Sequence, residues 1–326
     1  MKQIRLGKTN MYVNRVGFGC MGFSHASGAP TPKEEAIQAL REAYKIGYNF
    51  YDTAECYTGV NSDGSINYNE ELVGEAIKPF RDKVILCTKF GVTHKGDHLE
   101  FDSSPKKIRE SIEGSLKKLQ TDYIDIYYQH RIDPNVEPEV VASVMKELIE
   151  EGKIKAWGIS ETTEEYLRRA HAVCPVTCIE NRYSMMARWH ESIFDTCKEL
   201  GVTYVAFSPM ANGALTGVYK SNKEFKNDGS DFRVNMPQYS DEGIRKTNEL
   251  LEVVNEIADK HNATPAQISL AWMICKYDFI VPIPGSRKIE RIQSNFDAGN
   301  IKLTKEEINK LDTKLSSMEF KVFGGH

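Results

Sequence analysis

The chain has 326 residues, a little more than one typical (β/α)8 barrel and enough for two ordinary domains. Apolar residues make up 40%, charged residues 27%, and the formal net charge is −4, so no field is available to recruit nucleic acid or a membrane surface. No window approaches ~18 consecutive apolar residues, and Met1-Lys2-Gln3-Ile4-Arg5-Leu6-Gly7-Lys8 has no apolar stretch, so neither a bilayer span nor a signal peptide is expected. The seven cysteines are odd in number and irregularly spaced, which suits a reduced, cytoplasmic chain. His171, Cys174 and Cys178 match no common zinc spacing, so no metal is expected.

Residues 4–13 read as a short β-hairpin turning at Gly7-Lys8-Thr9-Asn10. Beyond it, short apolar runs alternate with amphipathic segments. The runs predict strands at 16–20, 48–51, 84–88, 124–129, 156–159, 176–179, 204–207 and 279–283. Pro32 opens a helix over 33–45 with Ile37, Leu40 and Tyr44 on one face. Ser104-Pro105 opens another carrying Ile108, Ile112, Leu116 and Leu119; further helices are expected over 163–171, 189–200, 241–261 and 288–296. Residues 213–240 are irregular, with polar turns at 220–223 and 227–230, and read as a lid or a mobile loop.

This alternation predicts a parallel sheet covered by helices. Eight strands in such a register close as one (β/α)8 TIM-barrel domain over 1–326, with the hairpin in front and long loops at the C-terminal face; the runner-up is an open doubly wound sheet. Gly17-Phe18-Gly19-Cys20-Met21-Gly22 fits the G-x-G-x-x-G of that alternative. The match is weak, because 23–31 intervenes before a helix and Asp52 lies too far on to be the ribose ligand.

The most informative residues are Asp52, Tyr57, Lys89 and His130, at or just beyond the ends of successive predicted strands. At the mouth of a parallel barrel, an acid, a phenol, an ammonium and an imidazole converge into a set able to deliver a proton to a carbonyl oxygen. A free phenol near pKa 10 is a poor acid at neutral pH, and a neighbouring ammonium lowers that pKa. Lys89 is the candidate cation, Asp52 its partner, Tyr57 the general acid, and His130 the group that orients the carbonyl oxygen. Arg287, Lys288 and Arg291 open the last predicted barrel helix, and basic side chains at a helix N-terminus suit a phosphate.

At these residues the sequence resembles the aldo-keto reductase superfamily over nearly its whole length, and most closely the bacterial and plant reductases with a Tyr-Tyr-Gln-His-Arg fourth strand. The resemblance is carried by Leu6-Gly7-Lys8-Thr9, by Asp52-Thr53-Ala54 followed by Tyr57, by Thr88-Lys89-Phe90-Gly91, by Tyr127-Tyr128-Gln129-His130-Arg131-Ile132-Asp133, by Gly158-Ile159-Ser160, and by Pro284-Gly285-Ser286-Arg287 with Arg291 and Asn295. It implies an enzyme that reduces aldehydes or ketones with NADPH, returning NADP+, and small-molecule carbonyl substrates; the oligomeric state stays open. It implies that Gly285, Ser286, Arg287, Lys288, Arg291 and Asn295 clamp the cofactor. Ser208, Pro209, Asn212, Gly213, Leu215 and Gly217 would lie under its pyrophosphate, Ser160 on the carboxamide, and Tyr183 stacked on the nicotinamide.

The chain departs from the family pattern in its sixth strand, where Glu180 stands in place of Gln and Arg182 in place of Glu. Glu161 stands where many relatives have Asn. An ionised Glu can only accept hydrogen bonds, so Glu180 is expected to accept from the carboxamide and, sharing a face with Arg182, to pair with it. Phe23, Phe90 and Arg131, with the C-terminal 318–323, are expected to line a substrate pocket. Cys56 beside Tyr57 could gate activity by oxidation if exposed with a lowered pKa. Two other functions compete: a cofactor-binding regulatory subunit of the same fold with little turnover, against which His130 and Tyr57 argue, and a barrel hydrolase using two carboxylates such as Asp52 with Glu180 or Glu161.

Overall fold

Each of the eight predicted apolar runs becomes a strand in the computed structural model, which describes residues 3–26, 28–96, 98–225 and 231–325. The strands are β1 (Phe18–Gly19), β2 (Phe50–Asp52), β3 (Ile85–Phe90), β4 (Ile124–Gln129), β5 (Ile154–Ser160), β6 (Cys178–Arg182), β7 (Thr203–Phe207) and β8 (Ile280–Pro282). They pair in parallel in chain order. The ring closes where Gly17 N–H donates to Pro282 O at 2.9 Å and Gly19 N–H to Pro284 O at 3.2 Å. That closure explains the glycines of the G-x-G-x-x-G run. A Cβ on Gly19 would lie 2.7 Å from Ile283 O, and one on Gly285 2.5 Å from Gly19 O. The glycines serve backbone approach at the seam, and the open-sheet alternative falls.

Period-two alternation sorts each strand. Phe18, Tyr51, Leu86, Tyr127, Trp157, Ile179, Tyr204 and Ile280 point outward into the core shared with the helices. Phe50, Cys87, Ile126, Tyr128, Ala156, Cys178, Val205 and Val281 fill the barrel interior. Leu6 and Val13 join that interior cluster from the hairpin Ile4–Arg5/Tyr12–Val13, which is fastened by Gly7 N–H to Thr203 Oγ1 at 2.8 Å.

The helices are α1 (Lys33–Ile46), α2 (Asn69–Ile77), α3 (Pro105–Leu119), α4 (Pro138–Glu150), α5 (Glu164–Val173), α6 (Phe194–Leu200), α7 (Asp241–His261), α8 (Pro265–Lys276), α9 (Ile289–Asp297) and α10 (Lys305–Ser316). Local chemistry sets their starts: Ser104 accepts from Lys107 N–H with Pro105 at the first helical position, and Thr163, Thr264 and Thr304 cap α5, α8 and α10 likewise. Pro32 sits one residue earlier than an N1 proline, at the cap of α1. Two antiparallel hairpins, Thr58–Val60/Ile66–Tyr68 and Val92–Lys95/His98–Phe101, follow β2 and β3. The 213–240 segment folds as short 3-10 turns at Ala211–Thr216, Asn222–Glu224, Phe232–Asn235 and Pro237–Tyr239. The polar turn expected at 227–230 lies outside the described residues. Among the described residues no helix is long and apolar enough to cross a membrane.

Candidate active site

The inward rows of the strands continue past the apolar filling into polar groups. Phe50 is followed two residues on by Asp52, Cys87 by Lys89, Tyr128 by His130, Cys178 by Glu180 and Val205 by Phe207. The alternation that fills the barrel therefore delivers a side chain from each of these five strands to its C-terminal mouth.

Lys89 is fully buried and Asp52 is 3% exposed. The ammonium donates to Asp52 Oδ1 and, at 2.9 Å, to Thr53 O, and it lies 3.4 Å from Glu180 Oε1. Burial alone would lower the Lys89 pKa. The facing carboxylates of Asp52 and Glu180 outweigh that and hold it well above the ordinary lysine value, so it stays charged. The ammonium is 5.2 Å from the centre of the Tyr57 ring.

Tyr57 sits in the loop after β2, held by Glu55 N–H to Lys89 O at 3.1 Å, Tyr57 N–H to Ala54 O at 3.1 Å and Asn69 N–H to Tyr57 O at 3.0 Å. Its ring meets His130 edge-on, with centroids 5.7 Å apart. Burial raises the Tyr57 pKa; Lys89 pulls it down, but Asp52 and Glu180 push it back up. The net direction is upward, opposite to the expectation from the ammonium alone.

His130 is held well below the usual imidazole range, by burial first and then by Arg131 and Lys89, so the ring is neutral. Its Nδ1 lies 3.4 Å from Cys56 Sγ. The Cys56 thiol is buried and pushed up to about 12 by that burial. It therefore lacks the exposure and the lowered pKa that an oxidative gate requires.

Several expected ligands take other places. Tyr183 follows Arg182 and so points outward. It is fully buried, donates to Glu191 Oε1 at 2.7 Å and stacks on Trp272 at 5.6 Å, so it is a core residue. The aromatic at the mouth is instead the half-buried Phe207, with the guanidinium groups of Arg182 and Arg131 4.9 and 5.9 Å from its ring centre. Phe23 and Phe90 are also buried in the outer core, against Phe18 and Tyr127 respectively. His25, stacked on Tyr57 at 5.8 Å, together with His94 and Phe232, forms the wall beside the phenol. Sequence pattern does not reveal these three, because loop residues carry no periodicity.

Glu180 does not pair with Arg182; Lys89 attracts it instead. Arg182 donates its backbone N–H to Glu161 Oε1 at 2.8 Å and its side chain to Asn212 Oδ1 at 3.3 Å. Arg131 donates to Ser160 Oγ at 3.1 Å. From the C-terminal segment, the Phe323 ring lies 5.7 Å from the Arg182 guanidinium.

The loop after β7 is strained. Ser208, Ala211 and Asn212 adopt positive φ (49°, 50° and 58°), as do Gly213 and Gly217, and Leu215 is fully buried beneath them. At the other side of the mouth, Lys288 and Arg291 are exposed, while Ser286 Oγ accepts from Lys288 N–H at 3.1 Å. Arg287 is largely committed to the scaffold. It donates to Gly22 O and Ala29 O, and its buried Nη2 has no partner among the described residues. Among the described residues no group of three or more His, Cys, Asp or Glu could hold a metal ion.

Comparison with known proteins agrees with this geometry. The profile described as Aldo/keto reductase family matches residues 15–316. The chain is 35% identical over 314 residues to a probable aldo-keto reductase 1 of Glycine max, covering 95% of this chain and 88% of that one. It is 36% identical over 307 residues to the aldo-keto reductase str7 of Strobilurus tenacellus, covering 91% and 87%. The holo form of aldo-keto reductase AKR11C1 from Bacillus halodurans superposes with a TM-score of 0.79 at 26% identity, covering 98% of each chain. The chain belongs to the aldo-keto reductase family, whose members are oxidoreductases of carbonyl compounds that use nicotinamide cofactors.

Proposed function

We propose that this protein reversibly reduces an aldehyde or ketone to the alcohol with NADPH, with Tyr57 as the general acid. The observation that carries the reading is the convergence of Tyr57, His130 and the Lys89–Asp52 pair at one barrel mouth. The cofactor, when bound, supplies the hydride. Its binding is supported by the strained loop Ser208–Asn212, whose backbone cost of about 1–3 kcal/mol per residue suits an anion cradle. Exposed Lys288 and Arg291 at the start of α9 suit the extra phosphate of NADPH. Ser160 and Phe207 would hold the nicotinamide, and Ser208 and Asn212 would lie under the pyrophosphate.

Tyr57 keeps its proton through neutral pH because burial, with Asp52 and Glu180 beside it, opposes its loss. It therefore acts as an acid only toward a strong base, such as the alkoxide that forms on a reduced carbonyl. The Lys89 ammonium stabilises the phenolate as it appears. His130 is neutral, and with Nδ1 against the Cys56 sulfur, Nε2 is the nitrogen left to face the substrate oxygen. The seven unpaired cysteines support a reducing compartment such as the cytoplasm. A two-carboxylate hydrolase needs carboxyls about 5 Å or more apart. Asp52 and Glu180 both engage Lys89, and Glu161 accepts from the Arg182 backbone, so neither pairing supports that reading.

The test is oxidation of NADPH, with NADH in parallel, against a reactive aromatic aldehyde. Wild type is expected to turn over, and Tyr57→Phe to lose about 10²-fold or more in kcat while still binding NADPH. Tight NADPH binding without wild-type turnover would favour the regulatory subunit instead.

A further inference from the structure

Glu180 stands in the barrel where the family pattern has Gln, and it brings a second carboxyl to an ion pair that already has one. Asp52, Lys89 and Glu180 are all at most 3% exposed. Lys89 reaches Oδ1 of Asp52 and Oε1 of Glu180, and the other two oxygens, Asp52 Oδ2 and Glu180 Oε2, are buried with no hydrogen-bond partner among the described residues. The two carboxyl groups converge on that one ammonium, and each bears on the other's ionisation. Two buried acceptors left unpaired beside one ammonium is an arrangement that native proteins avoid, because each costs roughly 1–3 kcal/mol. A single proton between them removes both deficits.

We infer that Asp52 and Glu180 share one proton, so that the buried cluster with Lys89 is electroneutral, and that loss of this proton at alkaline pH switches the site to a less reactive, net-negative form. Two carboxylates around one ammonium would leave an uncompensated charge in a water-poor barrel, whereas the singly protonated pair leaves none. The groups facing Glu180 are Asp52 from β2, Tyr57 from the loop that follows, Cys87 and Lys89 from β3, Tyr128 from β4 and Cys178 from β6 itself. Ser160 and Val205 are its uncharged neighbours on β5 and β7. Lys89 is the cation in direct contact. Burial and then Asp52 push the Glu180 carboxyl up to about 8 against the pull of Lys89. The shared proton is thus present at neutral pH and leaves just above it. Once it has left, the extra negative charge opposes formation of the Tyr57 phenolate, and reduction slows.

The kinetic half of this inference rests on the carbonyl-reductase reading; the shared proton does not. It is therefore tested first on the protein without added cofactor, by infrared difference spectroscopy of wild type against Glu180→Gln. The expected result is a C=O stretch of a buried protonated carboxyl in wild type at about pH 6, fading as the pH rises through about 8 and absent from Glu180→Gln. Glu70, another buried carboxyl with a raised pKa, is present in both proteins and cancels. If the variant fails to fold, the pH titration of that band in wild type carrying isotope-labelled glutamate answers the same question. No band assignable to Glu180 overturns the inference.

The second readout is the pH profile of aldehyde reduction. Wild type is expected to lose several-fold in kcat between about pH 7 and about pH 9, while Glu180→Gln stays flat over that range. Identical limbs in both proteins would overturn the switch. A band that titrates in a wild type without turnover would count against the reductase reading and uphold the shared proton.

Discussion

Whether a side chain reaches the site depends on the parity of its position on a strand. Residues 178, 180 and 182 of β6 point inward, so Tyr183 points outward, and its ring belongs to the aromatic cluster with Trp272, Phe194 and Tyr204. Phe207 shares parity with Thr203 and Val205 and so reaches the mouth at the end of β7. Period-two counting along both strands is the signal that distinguishes these two rings, whereas family position alone does not. The consequence is specific. Phe207→Ala is expected to weaken cofactor binding about tenfold, because it removes a flat apolar face beside two arginines. Tyr183→Phe should leave cofactor affinity unchanged and cost about 1 kcal/mol of stability, the worth of its hydrogen bond to Glu191. Cofactor titration by fluorescence and denaturant unfolding of both variants would check this; a cofactor defect in Tyr183→Phe would reverse the assignment.

At the scale of elements, the barrel depends on its seam. Between β1 and β8 the backbones approach so closely that the first strand carries glycine at 19 and Gly285 follows the last, while Gly17 makes room for the Phe50 and Ile283 side chains. Gly19→Ala would force its Cβ against the Ile283 carbonyl, a backbone atom that cannot rotate away. It is expected to destabilise the protein by about 2–4 kcal/mol, read as a lowered denaturation midpoint. An effect below about 1 kcal/mol would mean that the seam relaxes easily. All eight barrel strands were legible, because short apolar runs bounded by turn residues leave few alternatives. α7 was legible to the residue, because Ser240 caps it and its apolar positions keep to one face. α8 was not, since Ile268 through Ile274 are buried on all sides and show no amphipathic stripe. The hairpins after β2 and β3, and the histidine wall of His25 and His94, were hidden for a related reason. They are loop structures set by contacts with one another, such as His25 Nδ1 with Thr58 O at 2.9 Å, and local pattern does not encode such contacts. Asp52, Tyr57, Lys89 and His130 were readable because strand ends were readable. Their net charge was not, because it depends on Glu180 arriving from a strand almost a hundred residues further along the chain.

For the whole molecule, the buried groups of the site set how stability varies with pH, and their signs differ. Glu180 ionises near 4.5 in an unfolded chain and about 8 in the folded one. Between those values the native state holds a proton that the unfolded state has released, so folding stability falls as the pH rises through that window. Asp52, also raised, acts in the same direction. Lys89 is raised above the ordinary lysine value, so its contribution is complete below about 10.5 and is lost only above that. His130 is lowered below 6.5, so it costs stability only as the pH falls beneath that value, where the unfolded chain takes up a proton that the native ring refuses. In the interval from about pH 6.5 to about pH 8, Glu180 therefore contributes a falling slope. Glu180→Gln removes that contribution and leaves an uncharged side chain of the same length in its place. The stability of the variant relative to wild type is expected to rise as the pH is taken from about 5 to about 8.5, by on the order of a few kcal/mol. Denaturant unfolding of both proteins across that range measures the difference directly. A constant difference would show that Glu180 ionises at its ordinary value, which is possible only if water reaches Oε2 in solution.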